Sequence, residues 1–351
     1  MVETPNGPTT SGRTGPQLPA DMRFTEWDLR LVNALQINPR APWSRVGPIL
    51  GVDSATAARH WQRLTAAGIA WTTAYAPEYA VIGWIQLRCR PDSLVRVAEL
   101  VCRCPSIYSV ECVGGSFQFD LTVAVADLAA LEDFAAHWLG ALPGVEAMRA
   151  VVGLDMYVEG ADWRPEALDR EERSGLADED GRAAFVRSNR REVDRLLVAA
   201  LAADARASLA ELATATGSSQ TTVRRRLREL LVSGRLILRC DLARQIAGWP
   251  IVIVYRAALP AEQLRSLGVT VARWAEIRMC TTTFGGDSNL IIIGWLRTAH
   301  EATGLETRLS RAFPDLRVVD RQISFRTAKR MGRILDRHGR AREFIPIEVW
   351  S

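Results

Sequence analysis

Ser208 to Gly234 read SLAELATATGSSQTTVRRRLRELLVSG, and this stretch decides the fold. Ser208 followed by Glu211 is the spacing of a reciprocal helix cap, which predicts a helix beginning at Leu209. Gly217 marks the turn that ends it. Ser218 or Ser219 then caps a further helix whose apolar positions, Val223, Leu227, Leu230 and Leu231, make one stripe, and Gly234 closes it. Working upstream, Val193, Leu196, Leu197 and Leu201 fall on one helix face, and Asp204-Ala205-Arg206 breaks that pattern. Downstream, Arg235 to Cys240 alternates and suits a small β-wing. Three short helices with a glycine turn before the last predict a winged helix-turn-helix.

The face opposite the apolar stripe carries Gln220, Thr221, Arg224, Arg225 and Arg228, with Arg226 at its flank and only Glu229 offsetting the charge. The major groove of B-DNA admits one helix, arginine forks match the acceptors of guanine, and glutamine matches adenine. A first turn of Ser218-Ser219-Gln220-Thr221 also points free N–H groups toward an anion. Candidate DNA-contacting residues here are Ser219, Gln220, Thr221, Arg224, Arg225 and Arg228. The bland reading is a solvated arginine-rich helix. Lys329 is the only lysine among 44 basic residues, an arginine bias typical of a GC-rich genome. The net charge of +4 does not by itself name a partner.

The motif occurs twice. Glu26 to Leu35 align with Glu192 to Leu201, and at the same offset Arg40 meets Arg206, Gly51 meets Gly217, Leu64 meets Leu230 and Gly68 meets Gly234. Gly83-Trp84 then matches Gly248-Trp249, and Gly114-Gly115 matches Gly285-Gly286. The helix of the first copy that corresponds to the arginine helix carries Ser54, Thr56, Arg59 and Arg63 as candidate DNA contacts. Ala58, His60 and Gln62 stand there where the second copy has Arg224, Arg226 and Arg228. Each helical part precedes strands and helices in the order β-α-β-β-α-β, predicted at 81–89, 92–104, 107–113, 117–126, 128–139 and 145–157, and at 250–257, 261–274, 275–282, 288–295, 298–313 and 316–326. That is the ferredoxin-like order.

The expected fold is therefore α+β, two tandem modules, each a winged helix-turn-helix followed by a ferredoxin-like sandwich domain. The boundaries are a disordered leader at 1–21, helix-turn-helix units at 22–76 and 188–242, sandwich domains at 79–158 and 247–328, an acidic linker at 159–187 and a basic tail at 329–351.

These residues resemble the leucine-responsive regulatory protein/AsnC (Lrp/AsnC) family of transcriptional regulators. The resemblance rests on Glu192-Val193-Asp194, Asp204-Ala205-Arg206, Leu209 to Ala213, and Arg226 to Leu230 followed by Ser233-Gly234. It covers about 22–158 and 189–331. Typical members carry one module and dimerise through the sandwich sheets, and this chain is similar to long actinobacterial members in which two modules are fused. The resemblance implies double-stranded DNA as partner, homo-oligomers, and a small-molecule effector such as an amino acid. The effector loops would carry Gly114, Gly115 and Asp120 in the first copy and Gly285, Gly286, Asp287 and Asn289 in the second. Glycine lets a backbone N–H approach a carboxylate, and an acidic side chain holds an ammonium; equally, the glycines serve only tight turns. Two identical heads read a palindrome, so unlike heads predict an asymmetric operator.

An enzyme reading has little to stand on, although the family fold also resembles sirohaem decarboxylase subunits. His60, His137, His300 and His338 are scattered, and no nucleophile triad, phosphate loop or metal spacing is present. No catalytic residue, cofactor or metal is expected. A third possibility is an architectural protein with little sequence preference. The six cysteines, Cys89, Cys102, Cys104, Cys112, Cys240 and Cys280, read as buried thiols. No apolar run reaches 18 residues and no signal segment opens the chain, so a cytoplasmic location is expected. Glu159 to Asp180 holds nine acidic and three basic residues, either a plain linker or a segment that repels nucleic acid. The basic cluster from Arg321 to Arg342 either adds phosphate contacts or is a solvated helix.

Overall fold

The computed structural model describes residues 24–77, 81–177 and 191–347. The expected leader at 1–21, the end of the linker and the last four residues lie outside them. The first half runs α1 (Glu26–Ile37), α2 (Trp43–Ile49), α3 (Ser54–Ala66), β1 (Ala70–Tyr75), β2 (Val81–Cys89), α4 (Leu94–Arg103), β3 (Ile107–Val113), β4 (Phe119–Val125), α5 (Leu128–Asp133) with a π-helical turn at Phe134–Leu139, and β5 (Val145–Val158). After α6 (Arg170–Leu176) come α7 (Arg191–Ala203), α8 (Leu209–Thr216), α9 (Gln220–Val232), β6 (Ile237–Leu242), β7 (Ile251–Ala258), α10 (Ala261–Val271), β8 (Ile277–Phe284), β9 (Leu290–Leu296), α11 (Glu301–Ala312) and β10 (Arg317–Arg330). A hairpin of β11 (Arg333–Leu335) and β12 (Ala341–Phe344) follows.

The strands β2 to β5 and β7 to β10 close into one barrel. Along the ring the order is β10, β3, β4, β2, β5, β8, β9, β7, and β7 pairs back to β10. The two long strands make the closure. β5 pairs with β2 from Val145 to Val152 and then with β8 from Val152 to Val158. β10 pairs with β7 from Arg317 to Ser324 and then with β3 from Ser324 to Arg330. Each half thus lends the second stretch of its last strand to the other half. Alternation along the strands gives two kinds of core. Ile85, Leu87, Leu121 and Val123 face outward under α4 and α5, and Ile253, Tyr255, Leu290 and Ile292 do the same under α10 and α11. Trp84, Val151, Val254 and Ile291 meet inside the barrel.

The helical heads are joined to each other as well. The expected wing is not a hairpin within one head: β6 pairs antiparallel with β1 of the other half, from Ala70–Leu242 to Tyr75–Ile237. A lone two-residue turn inside one head would have left a two-stranded ribbon of marginal stability, whereas here the ribbon is buried between the heads. Arg40 and Arg206, equivalent positions of the repeat, cross over reciprocally. Arg40 donates to the carbonyl of Ala205 (2.5 Å), and Arg206 donates to Pro39 (2.7 Å) and Ala41 (3.0 Å) while lying 4.0 Å over the Trp43 ring.

Two sequence expectations are corrected. The described part of the acidic stretch is built into the fold rather than hanging between domains. Trp163 packs edge-on to Trp249 and against Trp295, and α6 packs on α1 and α2, where Glu172 pairs with Arg30. The basic tail is neither a helix nor a free cationic strip. Lys329 is fully buried and donates to the Cys104 carbonyl (2.7 Å), Arg330 pairs with Glu111, Arg321 with Glu306 and Arg342 with Asp336. The five cysteines other than the half-buried Cys112 are buried, and all six are free thiols. Among the described residues no helix is long and apolar enough to cross a membrane.

Candidate nucleic-acid interface and effector loops

The local chemistry of Ser208 to Gly234 produces the geometry the sequence predicts. Ser208 and Glu211 cap α8 reciprocally, Gly217 ends it in the left-handed conformation (φ 61°), and Ser219 accepts the backbone N–H of Thr222 to start α9. Val223, Leu227 and Leu230 are buried against Leu197, Leu201 and Leu212, each such side chain contributing about 1.5–3 kcal/mol. Ser219, Gln220, Thr221, Arg224, Arg225 and Arg228 are all exposed on the other side. Arg225 is tethered to Glu229 (2.7 Å), a link that an exposed pair breaks at little cost.

Arg226 departs from the reading that put it at the flank of the polar face. It is 2% exposed and grips Asp194 of α7 through Nε (3.0 Å) and Nη2 (2.5 Å), with Nη1 on Glu229 (2.6 Å). The neighbouring carboxylates hold its guanidinium above the usual arginine range. The signal was present in the sequence as Asp194, an acid on the first helix of the head. The first half repeats the device: Asp28, fully buried, takes Arg63 and lies 3.6 Å from His60.

The first-half candidates sit in a different environment. Ser54 is half-buried. Asp53, not a hydroxyl residue, caps α3 by accepting from Thr56 N (2.8 Å). Its carboxylate, held below its usual pKa by those bonds, occupies the helix terminus that a phosphate would use. The Thr56 hydroxyl is bonded to Asp53 and to Arg59 (2.8 Å each), and Arg63 is committed to Asp28. Arg59 alone of these four is fully on the surface. Residues Asp169 and Glu171, exposed on or beside α6, add negative charge near the α1–α2 side of this head.

At the far end of the barrel the glycine loops differ both in backbone, the positive φ falling on the second glycine of the first pair and the first glycine of the second, and in surroundings. Gly115 (φ 108°) and Gly285 (φ 113°) take the positive-φ turn, which bulky residues avoid. Gly114 and Gly115 line an open groove of about 870 Å³ with α11 and the start of β10, including the Glu306–Arg321 pair. Gly286 and Asp287 are exposed. Two candidates are engaged within the fold. Asp120 is buried and bonded to Arg256 of the other half (2.8 Å), so it presents no free carboxylate to an ammonium, and burial raises its pKa. Asn289 clips Leu259 through both ends of its amide (2.8 and 3.0 Å), tying the start of β9 to the end of β7 within the second half.

Residues 192–231 match the profile of the AsnC-type helix-turn-helix domain, and residues 82–162 match that of the Lrp/AsnC ligand binding domain. No curated protein matches the chain. Among solved structures, the siroheme decarboxylase NirDL has the same fold over 87% of this chain and 93% of its own, with a TM-score of 0.56 at 14% identity. A transcriptional regulator of Neisseria meningitidis in complex with L-methionine is 20% identical over 38% of this chain and 90% of its own (TM-score 0.35). AsnC of E. coli is 14% identical over 38% and 93% (TM-score 0.33). Each half of the chain thus carries one segment that matches a domain model of the Lrp/AsnC type, a helix-turn-helix in the second half and a ligand binding domain in the first.

Proposed function

We propose that this chain is a sequence-specific DNA-binding transcriptional regulator made of two fused family modules, in which α9 is the base-reading helix. The observation that carries the reading is the division of α9. Its arginine and hydroxyl face is open, while Arg226 and the apolar stripe bind it to its own head. In this reading Arg224, Arg225 and Arg228 reach base edges or phosphates and Ser219, Gln220 and Thr221 seat the helix terminus. Head one supplies the weaker contacts, through Arg59 first, then Ser54, Thr56 and Arg63. The operator is then asymmetric. The reading also places the chain beside the chromosome in the cytoplasm, with further copies assembling along the DNA. An amino-acid effector docks at the Gly114–Gly115 groove, where the Glu306–Arg321 pair offers both charges to a zwitterion, with Gly285, Gly286 and Asp287 as the second-half counterpart.

The test is titration of the full chain into its own promoter fragments against random duplex of equal length, at two salt concentrations. A regulator prefers its site by about 10³-fold or more. Equal affinity for both would leave only the architectural reading. The siroheme decarboxylase reading draws on shared fold alone, and an absorption spectrum after incubation with an iron tetrapyrrole separates it: a regulator leaves the cofactor spectrum unchanged.

A further inference from the structure

Inside the barrel, at the end next to the β1–β6 ribbon, lies a cavity of about 160 Å³. It is distinct from the glycine-loop groove, and its walls come from both halves and from both heads: Tyr75 of β1, Trp84 of β2, Arg239 of β6, Arg278 of β8, Trp295 of β9 and Arg330 of β10. Its charge is unbalanced. Arg239 and Arg278 both donate to a single oxygen of the buried Asp241 (2.8 and 2.9 Å). Arg330 donates to Glu111 (2.8 Å), whose carboxylate also accepts from Ser324 (2.6 Å) and Thr327 (2.8 Å). Arg244, 4% exposed, finds carbonyls at Trp249 (3.1 Å) and Pro250 (2.5 Å) and a long contact to Thr327, but no carboxylate. Three guanidinium groups of the lining, Arg239, Arg278 and Arg330, therefore face Asp241, Glu111 and Glu159, and Arg244 lies outside the lining. Burial pushes the Glu159 carboxyl up, toward its neutral form, and Asp162 beyond it is at the solvent edge. Burial and the neighbouring arginines push Arg278 well below the usual arginine range. An excess of buried positive charge is costly unless an anion joins it.

Hydrogen bonding points the same way. On this wall the indole N–H groups of Trp84 and Trp295, Nη1 of Arg278 and Nε of Arg239 have no partner among the described residues, and all four side chains are more than nine-tenths buried. Buried donors are normally satisfied. Unspent donors on the wall of one largely apolar cavity call for a guest that carries acceptors on a short carbon body. The volume sets its size. At about 10–15 Å³ of such space per water, the cavity holds a body of roughly ten heavy atoms. It falls short of the about 300 Å³ at which drug-sized ligands begin, so a tetrapyrrole does not fit in this arrangement.

We propose that this cavity binds a small organic carboxylate, of the size of succinate or malate, held by Arg278, Arg330 and the two indole N–H groups. Because Tyr75 and Arg239 belong to the ribbon that joins the heads, the guest would tie the barrel to the orientation of both heads. The site stands independently of whether α9 reads DNA.

The test is calorimetry and thermal unfolding of the full chain with succinate, malate and inorganic phosphate, with chloride matched for ionic strength. We expect saturable one-to-one binding of a dicarboxylate and a rise in Tm that follows ligand concentration. Quenching of tryptophan fluorescence should accompany it and be reduced in Trp295→Phe. Arg330→Gln, at the more open edge of the wall, should weaken binding at least about tenfold. Arg278→Met should weaken it further, and if that variant does not fold, Arg330→Gln carries the test. The assignment is overturned if neither dicarboxylate binds below about 10 mM, a concentration that marks an affinity of under roughly 3 kcal/mol. Binding of phosphate alone, or affinity unchanged in Arg330→Gln, overturns it equally. DNA affinity measured on the same variants separates failure here from failure of the regulator reading.

Discussion

Replacing Asp194 by Asn should loosen the arginine helix while leaving its exposed side chains untouched. In the native head the Asp194 carboxylate takes two hydrogen bonds from a guanidinium that is 2% exposed. Two charges about 4 Å apart attract by roughly 4 kcal/mol at an effective dielectric constant of about 20. Breaking a buried pair by removing one member generally costs about 3–5 kcal/mol, because the other charge stays buried. Glu229 remains at 2.6 Å and offsets part of this, so we expect a loss of about 3 kcal/mol. Urea unfolding followed by circular dichroism reads it as a lower midpoint. Hydrogen exchange should show the α7–α9 amides opening before the barrel. The double variant Asp194→Leu, Arg226→Met removes both charges and should recover most of the loss. A cost of less than about 0.5 kcal/mol, as for an exposed pair, or a double variant no better than the single one, would refute the reasoning.

Three further outcomes follow from the same geometry. Arg224→Ala and Arg228→Ala should each weaken binding to a cognate site by about 1–3 kcal/mol with little change in Tm, whereas Arg59→Ala should cost less; gel-shift titrations that reverse this ranking would move the reading helix to the first head. Exchanging the two operator half-sites should lower affinity, and equal losses on disrupting either half would count against unlike heads. Lys329 is fully buried, and desolvation lowers its pKa to about 8 from 10.5. The folded state therefore holds the neutral amine more readily than the unfolded chain does. The penalty is fully present below about pH 8, and stability is regained as pH rises toward the unfolded value. Lys329→Met should stabilise the protein at pH 7 by on the order of 3 kcal/mol, and the difference from the parent should shrink between about pH 8 and 10.5; a pH-independent difference would show that packing, not ionisation, is at work.

Local signals were legible in the sequence and long-range pairings were not. Ser208, Glu211, Gly217 and Ser219 act within a few residues of themselves, so their roles in α8 and α9 could be read directly. Strands β2 and β3 coincide with the predicted spans, and the other barrel strands depart only at their ends, for example β10, which runs four residues further than expected. What alternation cannot say is which edge a strand will find. The union of β1 with β6, and the switch of β5 and β10 from one half to the other, depend on contacts more than a hundred residues apart. The same limit applies to charges. Arg226, Asp120 and Lys329 look like surface groups in sequence, and only their partners Asp194, Arg256 and the Cys104 carbonyl make burial tolerable. The tail was misread because its basic residues hid strand positions that β3 and β11 complete.

The reciprocal lending of β5 and β10 changes what dilution can do to this protein. Two separate subunits meet at a rate set by their concentration and come apart when scarce, but a ring closed within one polypeptide has no such threshold. A cell holding a handful of copies would keep every one of them assembled. Because each half has a sequence of its own, one head is also at liberty to drift toward a different task while its sibling keeps the first.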